Sequence, residues 1–141
     1  MSKNDVEQLL AGGGWGFAKP AELSGYPGPI HVLALADKLQ LSKTQVRQIK
    51  DIYTAMNRRA KQLGTAFVAS ERSLSTAFVS ATISSARLTT LLAESGRLRM
   101  KLREVHLAAH LAMKPLLTRH QVATYSQLRG YSQRGHQHRR H

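Results

Sequence analysis

Leu41-Ser42-Lys43-Thr44-Gln45-Val46 and Leu117-Thr118-Arg119-His120-Gln121-Val122 are two copies of one pattern, Leu-[Ser/Thr]-x-x-Gln-Val. The spacing is that of a helix start. A hydroxyl at Ser42 or Thr118 can accept from the backbone N–H three residues on, and the glutamine there, Gln45 or Gln121, can reach back to the cap's own N–H. Leu41 and Leu117 fall just before the caps, where they can staple onto Val46 and Val122 in the first turn. Two such starts, one at each end of a long helical stretch, set the frame for the rest of the chain.

Outward from Ser42 runs a seam of Val46, Ile49, Tyr53, Met56, Ala60, Leu63, Phe67, Ser70, Leu74 and Phe78. Its steps alternate between three and four, the rhythm of helices packed side by side. Gly64 interrupts the run at a cost of about 1 kcal/mol relative to alanine. Small and β-branched residues at Val79-Ser80-Ala81-Thr82 predict a turn. A third helix follows on the seam Leu88, Leu91, Ser95, Leu98, Leu102, Val105, Ala109 and Ala112, and Pro115 predicts its stop at Lys114. Upstream, Pro29 opens a short apolar helix that ends near Gln40, and the second motif starts a short last helix from Thr118 to Leu128.

The expected fold is therefore all-α: an elongated, bent helical hairpin of about four helices, two long and two short. Residues 30–129 form the helical domain. Residues 1–29 hold a short helical patch at Val6–Ala11 but are otherwise expected to be extended, because Gly12-Gly13-Gly14-Trp15-Gly16 and Gly25-Tyr26-Pro27-Gly28-Pro29 break regular structure. Residues 130–141 read as a disordered, basic His/Arg-rich tail. A helix from Ser42 to Ser80 would be about 60 Å long at roughly 1.5 Å per residue. So thin a hairpin leaves an apolar side uncovered, and an antiparallel homodimer is the simplest way to cover it.

The two motif copies carry a resemblance. The chain is similar to the Spy/CpxP-like family of small periplasmic helical proteins, whose signature is a repeated Leu-Thr-x-x-Gln. Leu117-Thr118-Arg119-His120-Gln121 matches the signature as written, and Ser42 replaces the threonine in the first copy with an equivalent cap. Gly25-Tyr26-Pro27-Gly28-Pro29 and Leu128-Arg129-Gly130-Tyr131 also look like segments of one branch of that family. The resemblance spans residues 25–131. It implies a bowed antiparallel dimer with a concave basic face, periplasmic location, and either an ATP-independent chaperone or stress-adaptor role or a metal-sensing one. Met1-Ser2-Lys3-Asn4-Asp5 leads into no hydrophobic signal core, so either an export signal was removed from this chain or this member is not exported.

Composition bounds the chemistry. The 141 residues suit one domain, and no apolar stretch is long enough for a transmembrane segment. With no cysteine, disulfides and thiol catalysis are excluded. Eight scattered carboxylates, no Gly-rich phosphate loop and no nucleophile elbow give no catalytic residues, and an enzyme is not expected. Against those eight acids stand 21 Lys and Arg, a net +13. Such an excess points to an anionic partner: acidic protein segments, nucleic acid or anionic lipid.

Three binding chemistries follow. His106 and His110 share a helix face with Met113 next along it, so both imidazoles could reach one Zn, Ni or Cu ion; a histidine beside a packing seam more often packs and hydrogen-bonds. The histidines of the tail (His136, His138, His141) lie among arginines that oppose a cation. Non-specific nucleic-acid binding needs only the Lys/Arg excess, but aromatic residues are not interleaved with basic ones as base stacking requires. A chaperone needs an accessible amphipathic surface and no cofactor. Arg47, Lys50, Met56, Arg58, Arg59 and Lys61 on the second helix, with Arg97, Met100, Lys101 and Arg103 on the third, are the client-binding candidates, the methionines as adaptable contacts. Unfolded or partly folded proteins are the expected partners, with metal sensing as the alternative and nucleic acid as a minor one.

Overall fold

The computed structural model describes residues 1–131. Among them the chain is mostly helical and has no strand, and its two long helices pack together. The elements are α1 (Lys3–Leu10), α2 (Lys19–Leu23), α3 (Pro29–Ala34), α4 (Lys43–Val79), α5 (Ser85–Met113), a 3-10 turn (Lys114–Leu116) and α6 (Arg119–Leu128). Six helices thus replace the expected four. The two additions lie in residues 1–29. Ser2 and Asp5 form a capping box that starts α1 three residues before the expected patch, and Pro20 sits in the first turn of α2.

Both long helices keep most of their seams. Ile49, Ala60, Leu63 and Phe67 on α4 are buried, as are Ser95, Leu98, Leu102 and Ala109 on α5. The seam of α4 fails at its end, where Ala77 is buried and Phe78 exposed. There the chain folds back over Ala77, whose carbonyl accepts from the Thr82 backbone N–H at 2.9 Å. On α5 the inward residue is Met113 rather than Ala112. The connection between the two spans residues 80–84, with Ala81 at φ 55° and Ser84 Oγ accepting from the Arg87 N–H at 3.1 Å. The helix begun by Pro29 stops at Ala34, and turns carry the chain on to Gln40, which holds φ 52°.

The chain divides into two compact units, residues 1–15 with 57–105, and residues 16–56 with the described residues from 106 onward. Unit 1 buries Leu9, Ala60, Leu63, Phe67, Val68, Ala77, Leu98 and Leu102. Trp15 stacks tilted on Phe67, ring centres 6.1 Å apart. Gly64 has a reason that the seam alone did not give: a Cβ there would run into the Leu9 carbonyl of α1. Glycine's helix penalty is the cost of that close approach.

Unit 2 is built around Val32, Leu39, Ile49, Met113, Tyr125 and Tyr131, with Leu41 and Leu117 of the two motifs packed against them. Tyr131 is thus a core residue, although the sequence placed it in the tail, because one turn past α6 returns its ring to the cluster. Residues 132–141, the remainder of the expected disordered tail, lie outside the described residues.

Candidate functional site

Both motif copies form the expected caps. Ser42 Oγ accepts from the Gln45 N–H and Thr118 Oγ1 from the Gln121 N–H, each at 3.1 Å. Gln45 Oε1 accepts from the Ser42 N–H at 2.9 Å, and Gln121 Oε1 from the Thr118 N–H at 3.0 Å. The two boxes then join. Gln45 Nε2 donates to Gln121 Oε1 at 2.8 Å, and Gln121 Nε2 donates to Gln45 Oε1 at 3.1 Å. Each amide's second N–H closes a backbone carbonyl of the opposite connection: Gln45 takes Leu116 O at 2.8 Å and Gln121 takes Leu39 O at 3.2 Å. Each amide therefore has two donations and two acceptances, its full capacity. Read singly, each glutamine is a cap; together they are a clasp between the starts of α4 and α6.

A second polar cluster lies in the same unit. Tyr125 is fully buried, and its hydroxyl donates to the buried Glu22 carboxylate, 2.8 Å from each oxygen. Burial first, and then the neighbouring Glu22 charge, push the Tyr125 hydroxyl well above the usual tyrosine range, so it stays protonated as the donor that Glu22 needs. His110, also buried, places Nδ1 2.8 Å from the Tyr26 carbonyl oxygen. Gly28 is the tight point. A Cβ there would lie 2.6 Å from His110 Cε1 and 3.3 Å from Glu22 Oε1, so any side chain would push the His110 ring off its Tyr26 contact. Lys114 lies over the Tyr26 ring at 4.1 Å and Lys19 over Tyr131 at 5.2 Å, and Arg129 Nη2 donates to the Tyr131 hydroxyl at 3.2 Å. The segments 25–29 and 128–131, singled out on the family resemblance, thus both meet this cluster.

The metal candidates are buried. His106 is 3% exposed, His110 is committed to Tyr26 as described, and Met113 packs within the apolar core. Among the described residues no three His, Cys, Asp or Glu side chains converge on a point that could hold a metal ion.

The client-binding candidates are divided between the units. Arg47 and Lys50 are exposed and Met56 half-buried in unit 2. In unit 1, Arg58, Arg59, Lys61, Arg97 and Arg103 are exposed, Lys101 is half-buried, and Met100 is 55% exposed. Arg97 is paired with Glu94 one turn back on its own helix, Nη2 to Oε1 2.8 Å. Exposed apolar side chains join them in unit 1: Leu92 on α5, and Phe78 and Val79 at the end of α4, the latter 88% exposed. Four residues apart along α5, Leu92, Gly96 and Met100 form an exposed stripe, and a Cβ at Gly96 would touch nothing. No helix is long and apolar enough to cross a membrane among the described residues.

Sequence reasoning missed Glu22, Tyr125 and Asn57. Each is a single polar residue whose partner lies far along the chain, and no local spacing marks such a pair. Compared with known proteins, the chain matches no family model, no curated protein and no solved structure.

Proposed function

We propose that this chain is an ATP-independent, periplasmic client-binding protein of the Spy/CpxP-like kind, a chaperone or stress adaptor that works without chemistry as an antiparallel homodimer. The observation that carries the reading is the outer surface of unit 1. There Leu92, Met100, Phe78 and Val79 are exposed, Arg99 and Arg103 are exposed on α5, and residues 57–105 hold nine Lys and Arg against three Asp and Glu. Exposed apolar side chains supply burial to an unfolded chain, and the basic excess speeds its encounter with acidic segments. The repeated Leu-[Ser/Thr]-x-x-Gln pattern supports the same reading through the family it resembles.

The test is light scattering of a chemically denatured acidic client diluted into buffer with and without this protein, ATP being absent. Aggregation should be suppressed at near-stoichiometric ratios, and raising salt from 50 to 500 mM should weaken the effect as exposed charges are screened. Parallel arms with EDTA and with zinc address the histidine pair on α5. Suppression in both arms supports metal-free client binding; absence of suppression in every arm overturns the proposal.

A further inference from the structure

Within unit 1, α1 is bound differently from the long helices beneath it. It is eight residues long and buries one side chain, Leu9; helices of that length are marginal in water without a partner surface. It lies on α4 at Gly64, the position where a side chain would collide with the Leu9 main chain. The Ala11 carbonyl accepts from Asn57 Nδ2 at 3.2 Å. The Gly12-Gly13-Gly14 run then leads to Trp15, which holds φ 49°, a backbone conformation that a bulky residue adopts only when its contacts enforce it. Those contacts are Phe67, Arg99 at 5.9 Å over the indole, and Asp5, whose Oδ1 accepts from the indole N–H at 2.9 Å. The arm carries two acids, Asp5 and Glu7, against one base, Lys3, in the same unit as the strongly basic residues 57–105. The segment therefore has the makeup of a ligand for this surface: short, helical, amphipathic and acid-bearing.

We infer that the Gly64 face of α4 is a docking groove for short acidic amphipathic helices, and that α1 with Trp15 fills it in cis as a displaceable plug. Release of the plug uncovers the Gly64 notch and the Phe67 ring on which Trp15 rests. A tethered ligand has a millimolar effective concentration, so any competitor's affinity is scaled down to the fraction of chains that are open. That the natural competitor is an unfolded client rests on the proposed function; the plug and its groove do not.

Trp15 is the single tryptophan and reports the arm directly. In the full-length chain, Leu9→Asp should red-shift its emission and raise acrylamide quenching at least about two-fold, with loss of no more helix than α1 contributes. A fluorescent peptide of residues 1–16 should bind the Leu9→Asp chain about ten-fold or more tighter than wild type, since its competitor is gone. Adding Gly64→Val should abolish that binding by filling the notch. Should Leu9→Asp unfold the unit, Gly64→Val alone replaces it, and the same red shift is expected from expulsion of α1. Unchanged Trp15 shielding in both variants, or equal peptide binding to wild type and Leu9→Asp, overturns the inference. Client added to wild type separates the two claims. Peptide binding as expected without suppression of aggregation upholds the groove and removes the client; suppression with Trp15 still shielded overturns competition at this groove.

Discussion

The two units hold themselves together by opposite means. Unit 1 is secured by apolar shape: Leu9 against the bare backbone of Gly64, Trp15 on Phe67, and a seam of Ala60, Leu63, Leu98 and Leu102. Its side-chain polar links include Ser95 to Glu71 at 3.0 Å and Asn57 to Ala11. Unit 2 adds to its apolar core a set of buried polar locks: the glutamine clasp, Tyr125 on Glu22 and His110 on Tyr26. Apolar contacts tolerate sliding and exchange of partners, whereas a buried polar pair leaves an unsatisfied group when it is broken. The contrast suits a molecule in which one unit presents an exchangeable surface and the other fixes helix geometry. It is also spectroscopically separable, because Trp15 belongs to unit 1 and all four tyrosines (Tyr26, Tyr53, Tyr125, Tyr131) belong to unit 2.

The largest effect is expected from Phe67→Ala, which empties the centre of unit 1 and should cost about 3–5 kcal/mol. Urea unfolding followed by Trp15 fluorescence measures it; a loss under 1 kcal/mol would mean that unit 1 is not held by this packing. Next comes the clasp. Gln121→Ala removes a cap and strands the Leu39 carbonyl, and Gln45→Ala does the same for Leu116, each costing about 2–3 kcal/mol. Their double mutant should show a coupling energy of about 0.5–3 kcal/mol, and strict additivity would show that the clasp contributes nothing beyond its two caps.

Tyr125→Phe preserves the ring and removes the donor to Glu22, at about 1–3 kcal/mol read from the remaining tyrosine signals of unit 2. If unit 2 were held by shape alone, this variant would be silent. Smaller still are the caps themselves: Ser42→Ala and Thr118→Ala should each cost about 1 kcal/mol.

The pH responses should be of opposite sign. The Tyr125 hydroxyl is raised by burial and by Glu22, so its contribution is complete below about pH 10 and declines as pH rises beyond that. Asp5 is lowered by its bonds from Trp15 and Ser2, so its contribution is present above its ordinary value near 3.8 and is lost as pH falls through the lowered one. Acid below pH 4 should therefore increase Trp15 quenching in unit 1, and alkali above pH 10 should loosen unit 2 at Tyr125; a Trp15 signal indifferent to acid would break the comparison.

Much of the architecture was legible because it is local. Ser42 to Gln45 and Thr118 to Gln121 span three residues, a spacing that cap geometry dictates, and both boxes formed as expected. The seams were legible for the same reason, each being a one-dimensional rhythm along one helix. They failed where the third dimension intervened, at Ala77 under the returning turn and at Met113 drawn into the core of unit 2. The N-terminal segment was misjudged because its glycines were read as breakers. Gly64, which α1 needs, looked like an interruption of α4 when it is the seat of another element.

By itself, then, the sequence determined the starts of α3, α4 and α6, the stop before Pro115, most of the seams and the basic surplus, since each follows from spacings of a few residues or from simple counting. Only the tertiary structure decided which starts meet. The Gln45–Gln121 clasp, the Tyr125–Glu22 bond and the seating of Leu9 on Gly64 join positions far apart along the chain. Such pairings depend on how whole helices come together, and that is set by the summed packing of both units rather than by any short stretch of residues.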